Sequence, residues 1–479
     1  MPGKINGEIL DVAIIGQGII GLTLALGLIK RGINVKVYEQ ASSLRVTGAG
    51  VAFTANAIQC MNLLDPQIVD ALRSVATSNG DPANPNDYLR WVDGYSSPAG
   101  QDPLEEKLLF KLYAGTKGFE GCHRAHFVEA LAALMPEGVV HYSKRLDKIY
   151  ETGDSEKVVL SFHDGTTASA DAGKFFTLLR KNCQSQVLTA TAVIGCDGIN
   201  SRVREHLFGS DNPISHPNYS HKAAYRGLIP MDKAVEALGE YKAKNQHMHL
   251  GPKAHIVHFP VVNQTMVNVV AFVSDSEKWP DDNKLDVLAE RADLEAAFSD
   301  WGLPVRSIVQ LLPEQLSKWA VFDTYDHPVP YYSAGQVCLA GDAAHAAAPH
   351  HGAGAGVGIE DALCLASVFE EALKAPHYTD TLNSDIISAA FESYNAVRHE
   401  RTQWLVQSSR EVCDIYEWAN PLTGDDPEKC LEEIMWRSHK IWYFDFIGMV
   451  QDVKKDFNQR IQGNASKPMP IEAPVAVRL

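Results

Sequence analysis

The chain has 479 residues, of which 45% are hydrophobic, 21% charged and 9% aromatic, and these proportions exclude a disordered or fibrous protein. Acidic residues outnumber basic ones by 59 to 43, which gives a formal net charge of −16 and leaves no basic surface for nucleic acid. No apolar stretch approaches the roughly 18 residues of a membrane span, and the first ten residues lack the apolar core of a secretion signal. We therefore expect a cytoplasmic protein with neither a membrane span nor a nucleic-acid partner.

The N-terminal segment reads as strand, glycine-rich turn and helix. The apolar run Asp11–Ile15 predicts a strand, Gly16, Gly18 and Gly21 follow as G-x-G-x-x-G, and Leu22–Lys30 continues at helical spacing. The first glycine permits the tight turn, the second admits a pyrophosphate close to the backbone, and the third lets helix and strand pack closely. Because a helix N terminus also attracts phosphate charge, the segment predicts a dinucleotide site.

A second predicted strand, Asn34–Tyr38, ends at an acid that suits a ribose. Glu39 follows Gly21 by 18 residues, where its carboxylate is placed to accept hydrogen bonds from a ribose diol. The order of strand, helix, strand and acid makes the dinucleotide prediction specific. It does not separate NAD from FAD, so the rest of the chain has to decide between them.

Two later predicted strands lead into further motifs. Ala192–Gly195 is followed by Asp197 in Cys-Asp-Gly, and Val337–Ala340 is followed by Asp342 in Gly-Asp. An aspartate at a strand end suits a ribityl or ribose hydroxyl, and the glycine-rich segment after Pro349 opens a helix whose backbone N–H groups face an anion. This arrangement suits a flavin, whose N1–C2=O edge becomes negative on reduction.

Together the three motifs resemble those of the single-component FAD-dependent aromatic hydroxylases, the salicylate and p-hydroxybenzoate hydroxylase family. The resemblance runs from about residue 9 to about residue 445. It implies an α/β fold, with a Rossmann-like FAD-binding domain, a mixed-sheet substrate domain and a C-terminal helical region. It also implies NADPH or NADH as a transient co-substrate and O2 as oxidant. The residues that it adds to the predicted FAD contacts are Gly50 in the segment 47–51, Arg124, Pro349, Gly354 and Ala355.

Several stretches, among them DYLRWVDGY and AGDAAHAAAPHHGAGAGVGIEDALC, are similar to fungal polyketide-pathway monooxygenases that dearomatise phenols. This resemblance implies hydroxylation of an alkylated dihydroxybenzaldehyde or ketone at a substituted carbon, through a flavin hydroperoxide. Two other readings remain open. One is ordinary salicylate-type hydroxylation, and the other is a non-catalytic flavin-binding scaffold for a partner enzyme.

Arg226, on a predicted strand, aligns with an arginine that holds the substrate phenolate in the dearomatising branch. A fixed cation beside a phenol oxygen lowers the pKa of the phenol and places the ring. From the sequence without the resemblance, a surface arginine on an edge strand is the favoured interpretation. The resemblance favours the catalytic role.

The same branch carries a tyrosine where this chain has Phe259, which offers no hydroxyl. Some relatives carry another tyrosine where this chain has Phe119. Candidate replacements are Tyr113, Tyr225 and His258, and the alternative is that the arginine alone orients the phenolate.

No metal site is predicted. The eight cysteines lie far apart, without a Cys-x-x-Cys pair, and are expected to be buried thiols. His345, His350 and His351 cluster near the Gly-Asp motif, but no acid or cysteine completes a ligand set by spacing. We expect them to line the flavin pocket or to pack in the core.

The expected organisation is a discontinuous FAD-binding domain, a substrate-binding domain and a helical C-terminal region, in a monomer or homodimer. Tyr394, Arg398 and Arg401 share one face of a predicted helix, which we expect to be a solvated or interdomain ion-pair surface. Residues 171–189 exceed what the family needs there, and are predicted to be either a surface loop or the translation of an unspliced intron. The tail from Gly463 is expected to be disordered. The predicted boundaries are 1–80, 115–215 and 330–370 for FAD, 81–114 and 216–329 for substrate, and 371–479 for the helical region.

Overall fold

A computed structural model describes residues 4–5, 8–44, 50–78, 89–96, 104–112, 119–151, 157–168, 189–281, 284–374 and 383–463. Its strands are β1 (Lys4–Ile5), β2 (Glu8–Ile9), β3 (Asp11–Ile15), β4 (Asn34–Tyr38), β5 (Gly50–Phe53), β6 (Thr77–Ser78), β7 (Leu89–Asp93), β8 (Leu108–Leu112), β9 (Glu120–His123), β10 (Val140–His141), β11 (Leu146–Glu151), β12 (Val158–Phe162), β13 (Thr167–Ala168), β14 (Thr189–Ala190), β15 (Ala192–Gly195), β16 (Asn218–Pro230), β17 (His247–Gly251), β18 (Ala254–Val261), β19 (Met266–Ser274), β20 (Asp286–Glu290), β21 (Gln315–Asp323), β22 (Ser333–Ala334) and β23 (Val337–Leu339). Its α-helices are α1 (Ile19–Lys30), α2 (Ala55–Leu64), α3 (Pro66–Val75), α4 (Arg124–Ala133), α5 (Arg202–Phe208), α6 (Met231–Leu238), α7 (Glu240–Lys244), α8 (Arg291–Ala297), α9 (Leu303–Leu311), α10 (Asp342–His345), α11 (Gly354–Lys374), α12 (Asn383–Tyr416), α13 (Pro427–Trp442) and α14 (Phe446–Ile461).

The first large sheet is parallel except for its last strand, and its strand order is β10, β4, β3, β15, β23, β22. The strands β3 and β15 are buried along almost their whole length, as strands covered on both faces must be. The predicted strands at Asp11–Ile15, Asn34–Tyr38 and Ala192–Gly195 have the predicted bounds. The strand predicted at Val337–Ala340 ends one residue earlier.

The second large sheet has the order β20, β21, β16, β19, β18, β17, β7, β8 and is antiparallel except where β17 pairs with β7. Three short consecutive strands, β17 to β19, are among its central members. One face of this sheet packs on helices α6 and α9. The other face packs on Ala348, in the loop that follows the Gly-Asp motif of the first sheet.

The alternation of side chains along β16 decides what each face carries. Ala223, Tyr225 and Ile229 lie in the cluster with the helices, whereas Ala224 packs with Ala348 on the opposite face. Residues two apart on a strand share a face, so Arg226 lies on the face of Ala224. We call this surface the flavin-side face, because the loop it contacts belongs to the predicted flavin motifs.

Helix α11 carries two acids that are buried in ion pairs with α12. Arg398 contacts Asp361 at 2.8 Å and Glu360 at 2.9 Å, and Arg401 contacts Glu360 at 2.8 Å. Arg398 has no exposed surface and Arg401 is 9% exposed. The expected ion pairs are present, but the expectation that they are solvated is wrong. The arginines are buried, because acids of a neighbouring helix compensate their charges inside the core.

Some predictions fall outside the described residues. These are Tyr113, residues 47–49 of the segment before Gly50, residues 171–188 of the long insertion, and the tail after Gly463. Among the helices that the structure does describe, every one is too short or too polar to cross a membrane.

Candidate active site

The first glycine-rich turn lies between β3 and α1. Gly16 has φ +103°, and a side chain there would overlap the carbonyl oxygen of Cys196. A side chain at Gly21 would overlap the carbonyl oxygen of Gly16. A Cβ on Gly18, in contrast, would meet no atom within 4 Å. Packing therefore requires the outer two glycines, whereas the middle one leaves open space at the helix N terminus that fits a pyrophosphate.

Glu39 lies directly after β4, at the same edge of the sheet. Its Oε2 accepts a hydrogen bond from the backbone N–H of Gln17 at 2.9 Å, and its Oε1 accepts one from Ala41 at 2.8 Å. The carboxylate is thereby fixed beside the glycine-rich turn. Each oxygen retains a lone pair, so the group fits the predicted role of ribose acceptor.

Asp197 caps the helix that follows its motif. Its carboxylate accepts hydrogen bonds from Ser201 Oγ at 2.5 Å and from the backbone N–H groups of Arg202 and Val203 at 2.7 and 3.2 Å. Burial raises the pKa of this carboxyl, and the hydrogen bonds oppose the rise. The residue thus holds the turn between β15 and α5 in place, and a contact with the cofactor stays a prediction.

Asp342 presents its carboxylate differently. It begins α10, is exposed, and accepts no side-chain hydrogen bond from the part of the chain that the structure describes. The turn beneath it is rigid, because the backbone N–H of Gly341 donates to Asp361 at 3.0 Å and His345 contacts the same carboxylate at 2.6 Å. A fixed backbone with an available carboxylate fits the predicted ribityl or ribose contact.

The second glycine-rich segment opens α11, a helix of 21 residues. A Cβ on Gly352 or Gly354 would meet nothing within 4 Å, so the backbone around Gly354 and Ala355 borders open space. A cleft between this N terminus and the start of α2 is lined by Thr54, Gly352 and Gly356, among others. Pro349 is exposed just before it. The helix N terminus therefore offers N–H groups to an anion, as the flavin prediction requires.

The predicted flavin contacts and the predicted substrate contacts meet at Gly50. This residue pairs with His123, and Arg124 follows as the first residue of α4. A Cβ on Gly50 would lie 2.9 Å from the ring of Phe259 on β18. Residues that are 209 positions apart in the chain are therefore in contact, and Phe259 lies beside the segment predicted to face the flavin ring.

Arg226 lies on the flavin-side face of an interior strand, because β16 pairs with both β19 and β21. The alternative of a surface arginine on an edge strand is therefore wrong. Its Nε is buried and has no hydrogen-bond partner among the described residues, and its guanidinium lies 5.3 Å from the ring of Trp319. Burial lowers the pKa of Arg226, and the like charge of Arg124 lowers it further. Two cations that oppose each other at one place favour an anionic ligand there.

Two of the proposed replacements for the missing tyrosine hydroxyl, His258 and Tyr225, are not on this face. His258 contacts His249 at 3.0 Å and the carbonyl oxygen of Lys242 at 2.9 Å, on the side of α7. Tyr225 lies in the cluster with α9. The alternation of side chains on β16 and β18 points both away from Arg226, which corrects their selection as candidates.

The structure also brings a buried pair of histidines to the flavin-side face. His255, on the same face of β18 as Phe259, contacts Glu417 through Nδ1 at 3.2 Å, and its ring lies 5.2 Å from that of His350. With Cys413 these histidines form a group whose possible ligand atoms lie within 4.8 Å of one another. Sequence spacing could not reveal this group because its members come from three distant segments. The available signal is the spacing of four residues between His255 and Phe259, which places both side chains on one face of a strand.

The other two histidines have packing partners. His345 contacts Asp361, and the Nε2 of His351 lies 2.9 Å from Ser408 Oγ. Burial lowers the pKa of His351 to about 3, so it is neutral at physiological pH. Both fit the expectation of a pocket or packing role.

The comparisons with known proteins agree with these motifs. Residues 150–409 match the family model of an FAD binding domain. The chain is 49% identical over 465 residues to the FAD-dependent monooxygenase orf3 of Aspergillus niger, which covers 95% of this chain and 98% of that one. The chain belongs to the FAD-dependent monooxygenases. This monooxygenase is also 47% identical to the salicylate hydroxylase asL1 of Sarocladium schorii, over 95% of its own length and 92% of the relative's.

Among solved structures, the monooxygenase is similar to a salicylate hydroxylase in complex with substrate. The TM-score is 0.76 at 31% identity, and the match covers 93% of this chain and 98% of that chain. The α/β fold with its FAD-binding part, the FAD cofactor and the monooxygenase activity that the sequence predicts are therefore confirmed.

Proposed function

We propose that this monooxygenase uses NAD(P)H and O2 to hydroxylate an alkylated, polyketide-derived dihydroxybenzaldehyde or ketone, with loss of aromaticity at a substituted carbon. The observation that carries the proposal is Arg226, a half-buried cation on an interior strand, without a partner for its Nε in the described part of the protein. A phenolate is an anion of the right kind for that position, and it is the more nucleophilic form of a phenol.

The residues present fit FAD, and we propose a contact for each. Gly18 leaves space for the pyrophosphate, Glu39 and Asp342 offer carboxylates to hydroxyl groups, and Arg124 is exposed at the start of α4. When bound, FAD accepts two electrons from NAD(P)H and activates O2 for transfer of one oxygen atom to the ring. The proposed FAD-binding domain, residues 1–80, 115–215 and 330–370, holds the cofactor. The proposed substrate-binding domain, residues 81–114 and 216–329, holds the substrate.

The chain's own residues bind and orient the phenol. Arg226 holds the phenol oxygen in its ionised form, and the proton leaves to solvent as the substrate binds. Val270 and Phe272, on the neighbouring strand, are 8% and 4% exposed and make the surrounding wall apolar. Phe259 contacts Gly50 of the predicted flavin segment, so the wall borders the cofactor side. A dry, fixed site of this kind favours oxygen transfer over release of peroxide.

A second candidate function is ordinary aromatic hydroxylation. The resemblance to a salicylate hydroxylase with bound substrate favours it, since Arg226 would bind a carboxylate as well as a phenolate. The two functions differ in which ring carbon faces the cofactor.

Product analysis tests the proposal. Purified holoenzyme is incubated aerobically with NADPH and orcinaldehyde, an alkylated dihydroxybenzaldehyde, and the products are analysed by mass and ultraviolet absorbance. Gain of one oxygen with loss of the aromatic absorbance is the expected result. Gain of one oxygen with the aromatic spectrum retained would assign the enzyme to ordinary hydroxylation. NADPH oxidation that no phenol accelerates would instead support a scaffold.

A further inference from the structure

The flavin-side face carries a second polar side chain beside Arg226. Asn268 on β19 pairs directly with Phe259 on β18 and with Leu228 on β16. Arg226 is two residues from Leu228 on the same face, so Asn268 and Arg226 are diagonal neighbours. Side chains in directly opposed positions have Cβ atoms roughly 5 Å apart, and diagonal neighbours are about 7–8 Å apart. One small aromatic ring can therefore touch both side chains.

Asn268 is enclosed and incompletely bonded. It is 6% exposed, and its Nδ2 is buried with no hydrogen-bond partner in the described ranges. Its Cγ would lie 3.6 Å from a Cβ on Gly50, next to the ring of Phe259. An amide that is buried without its hydrogen bonds lowers stability, so its position at this place needs a reason.

The neighbouring side chains cannot supply the missing acceptor for the Nδ2 of Asn268. Phe259 has no hydroxyl, and Leu228 is apolar. Ser317, which pairs with Arg226 on the other side, contacts Asp286 at 3.0 Å instead. The amide of Asn268 is nearly symmetric in shape, and a half-turn about its last bond presents either its N–H groups or its oxygen to a ligand.

We propose that Asn268 determines substrate orientation, because its amide donates a hydrogen bond to a second oxygen of the phenol that Arg226 holds. The inference rests on the proposed function. One charged contact fixes the position of the phenolate oxygen and leaves the ring free to rotate about it. A second contact, from the strand beside Phe259, fixes the rotation and with it the ring carbon that faces the cofactor segment at Gly50.

The test is Asn268→Leu, which keeps the approximate size and removes the donor. With orcinaldehyde and NADPH we expect unchanged FAD content, a KM for orcinaldehyde raised about five- to tenfold, and more hydrogen peroxide per NADPH oxidised. Asn268→Asp provides a variant of nearly identical shape. Its carboxylate would compete with the phenolate for Arg226, so the same rise in KM is expected if Asn268→Leu fails to fold.

A rescue separates orientation from a structural role. Phe259→Tyr places a hydroxyl on the adjacent strand, so Phe259→Tyr combined with Asn268→Leu is expected to restore the low peroxide ratio. Asn218→Leu is the matched control, because Asn218 begins β16 and also has a buried Nδ2 without a partner in the described residues. It is expected to behave as the wild type. Wild-type KM and peroxide ratio in both Asn268 variants would overturn the proposal.

The proposed function fails in a different way. If the wild-type enzyme hydroxylates salicylate and ignores orcinaldehyde, the substrate class is wrong, and the same variants measured with salicylate still decide the role of Asn268. If neither phenol accelerates NADPH oxidation by the wild type, both proposals are overturned.

Discussion

The guanidinium of Arg226 is half-buried, and its Nε has no hydrogen-bond partner within the described structure. Arg124 adds a charge of the same sign nearby. Burying an uncompensated cation is costly, and the cost falls when an anion binds. We therefore propose that Arg226 receives an anionic ligand rather than serving packing alone. Trp319 contributes a ring face 5.3 Å away, which steadies the guanidinium without neutralising it.

Replacing Arg226 tests this interpretation. Arg226→Ala and Arg226→Gln are expected to keep FAD bound and to lose phenol turnover by at least about a hundredfold, because the phenolate loses its cation. Arg226→Lys should recover part of the activity, since it restores charge without the planar fork. Steady-state NADPH oxidation and flavin absorbance provide the measurements.

The control for these variants is Arg73→Gln, at an exposed arginine that contacts Glu120 at 3.3 Å. It removes a surface charge and is expected to leave turnover unchanged. Full activity in Arg226→Ala or Arg226→Gln would remove the residue from the mechanism.

At the scale of elements, the turn between β3 and α1 contains glycines that are required for two different reasons. Gly16 has a positive φ and no space for a side chain, so its requirement comes from the protein itself. Gly18 has space for a side chain, so we propose that its requirement comes from the cofactor.

Two single substitutions distinguish these uses. Gly16→Ala is expected to lower the melting temperature of the apoprotein and to abolish FAD retention, because the backbone strain and the overlap with Cys196 disrupt the turn. Gly18→Ala is expected to leave the apoprotein as stable as the wild type and to weaken FAD binding at least about tenfold, because the added methyl group occupies the pyrophosphate position. Thermal unfolding of apoprotein and titration with FAD measure both quantities. Equal loss of apoprotein stability in the two variants would contradict the distinction.

At the scale of the whole molecule, buried carboxylates join parts that are distant in sequence. Asp361 connects the Gly-Asp turn to α12 through Arg398, and Glu417 connects the end of α12 to the substrate sheet through His255 and Lys222. Glu106, on the far side of that sheet, contacts Lys242 at 2.8 Å and His249 at 2.6 Å. Burial alone would favour the neutral form of each acid. Its positive or hydrogen-bonding partners stabilise the ionised form instead.

These contacts predict how stability depends on pH. The partners of Glu106, Asp361 and Glu417 lower the pKa of each carboxyl to about 2 against the opposing effect of burial. A carboxyl with a lowered pKa stabilises the folded state above its unfolded pKa of about 4, and this contribution is lost as the pH falls toward 2. Burial lowers the pKa of His247 and His351 to about 3, so these groups remain neutral when folded and take up protons when unfolded below about pH 6.5. Both effects make the protein less stable in acid.

We therefore expect the free energy of unfolding to decline slowly below about pH 6.5 and steeply between about pH 4.5 and 2. Urea unfolding of the wild type at a series of pH values measures the decline. Glu417→Gln removes one of the titrating groups and should make the steep part shallower. A wild-type stability that is constant from neutral pH to about pH 3 would refute the prediction.

The local sequence determined those features of this protein that depend on interactions between residues close together in the chain. Strand bounds in the parallel sheet, the glycine-rich turns and the acids at strand ends follow from hydrophobic runs and backbone requirements within a few residues. For that reason β3, β4 and β15 have the predicted limits, and the predicted cofactor class is correct. The resemblance supplied Arg226 and Phe259, which no local pattern distinguishes.

Tertiary structure decided what depends on strand order and on the face of a sheet. Only the pairing of β16 with two neighbours makes Arg226 interior, and only the register places Asn268 beside Phe259. The sequence offers His258 and Tyr225 as candidates for their chemistry, and the alternation of side chains points both away from Arg226. The burial of Arg398 required acids on another helix. Each of these facts joins residues far apart in the chain, and the sequence by itself does not state which distant partner a residue will meet.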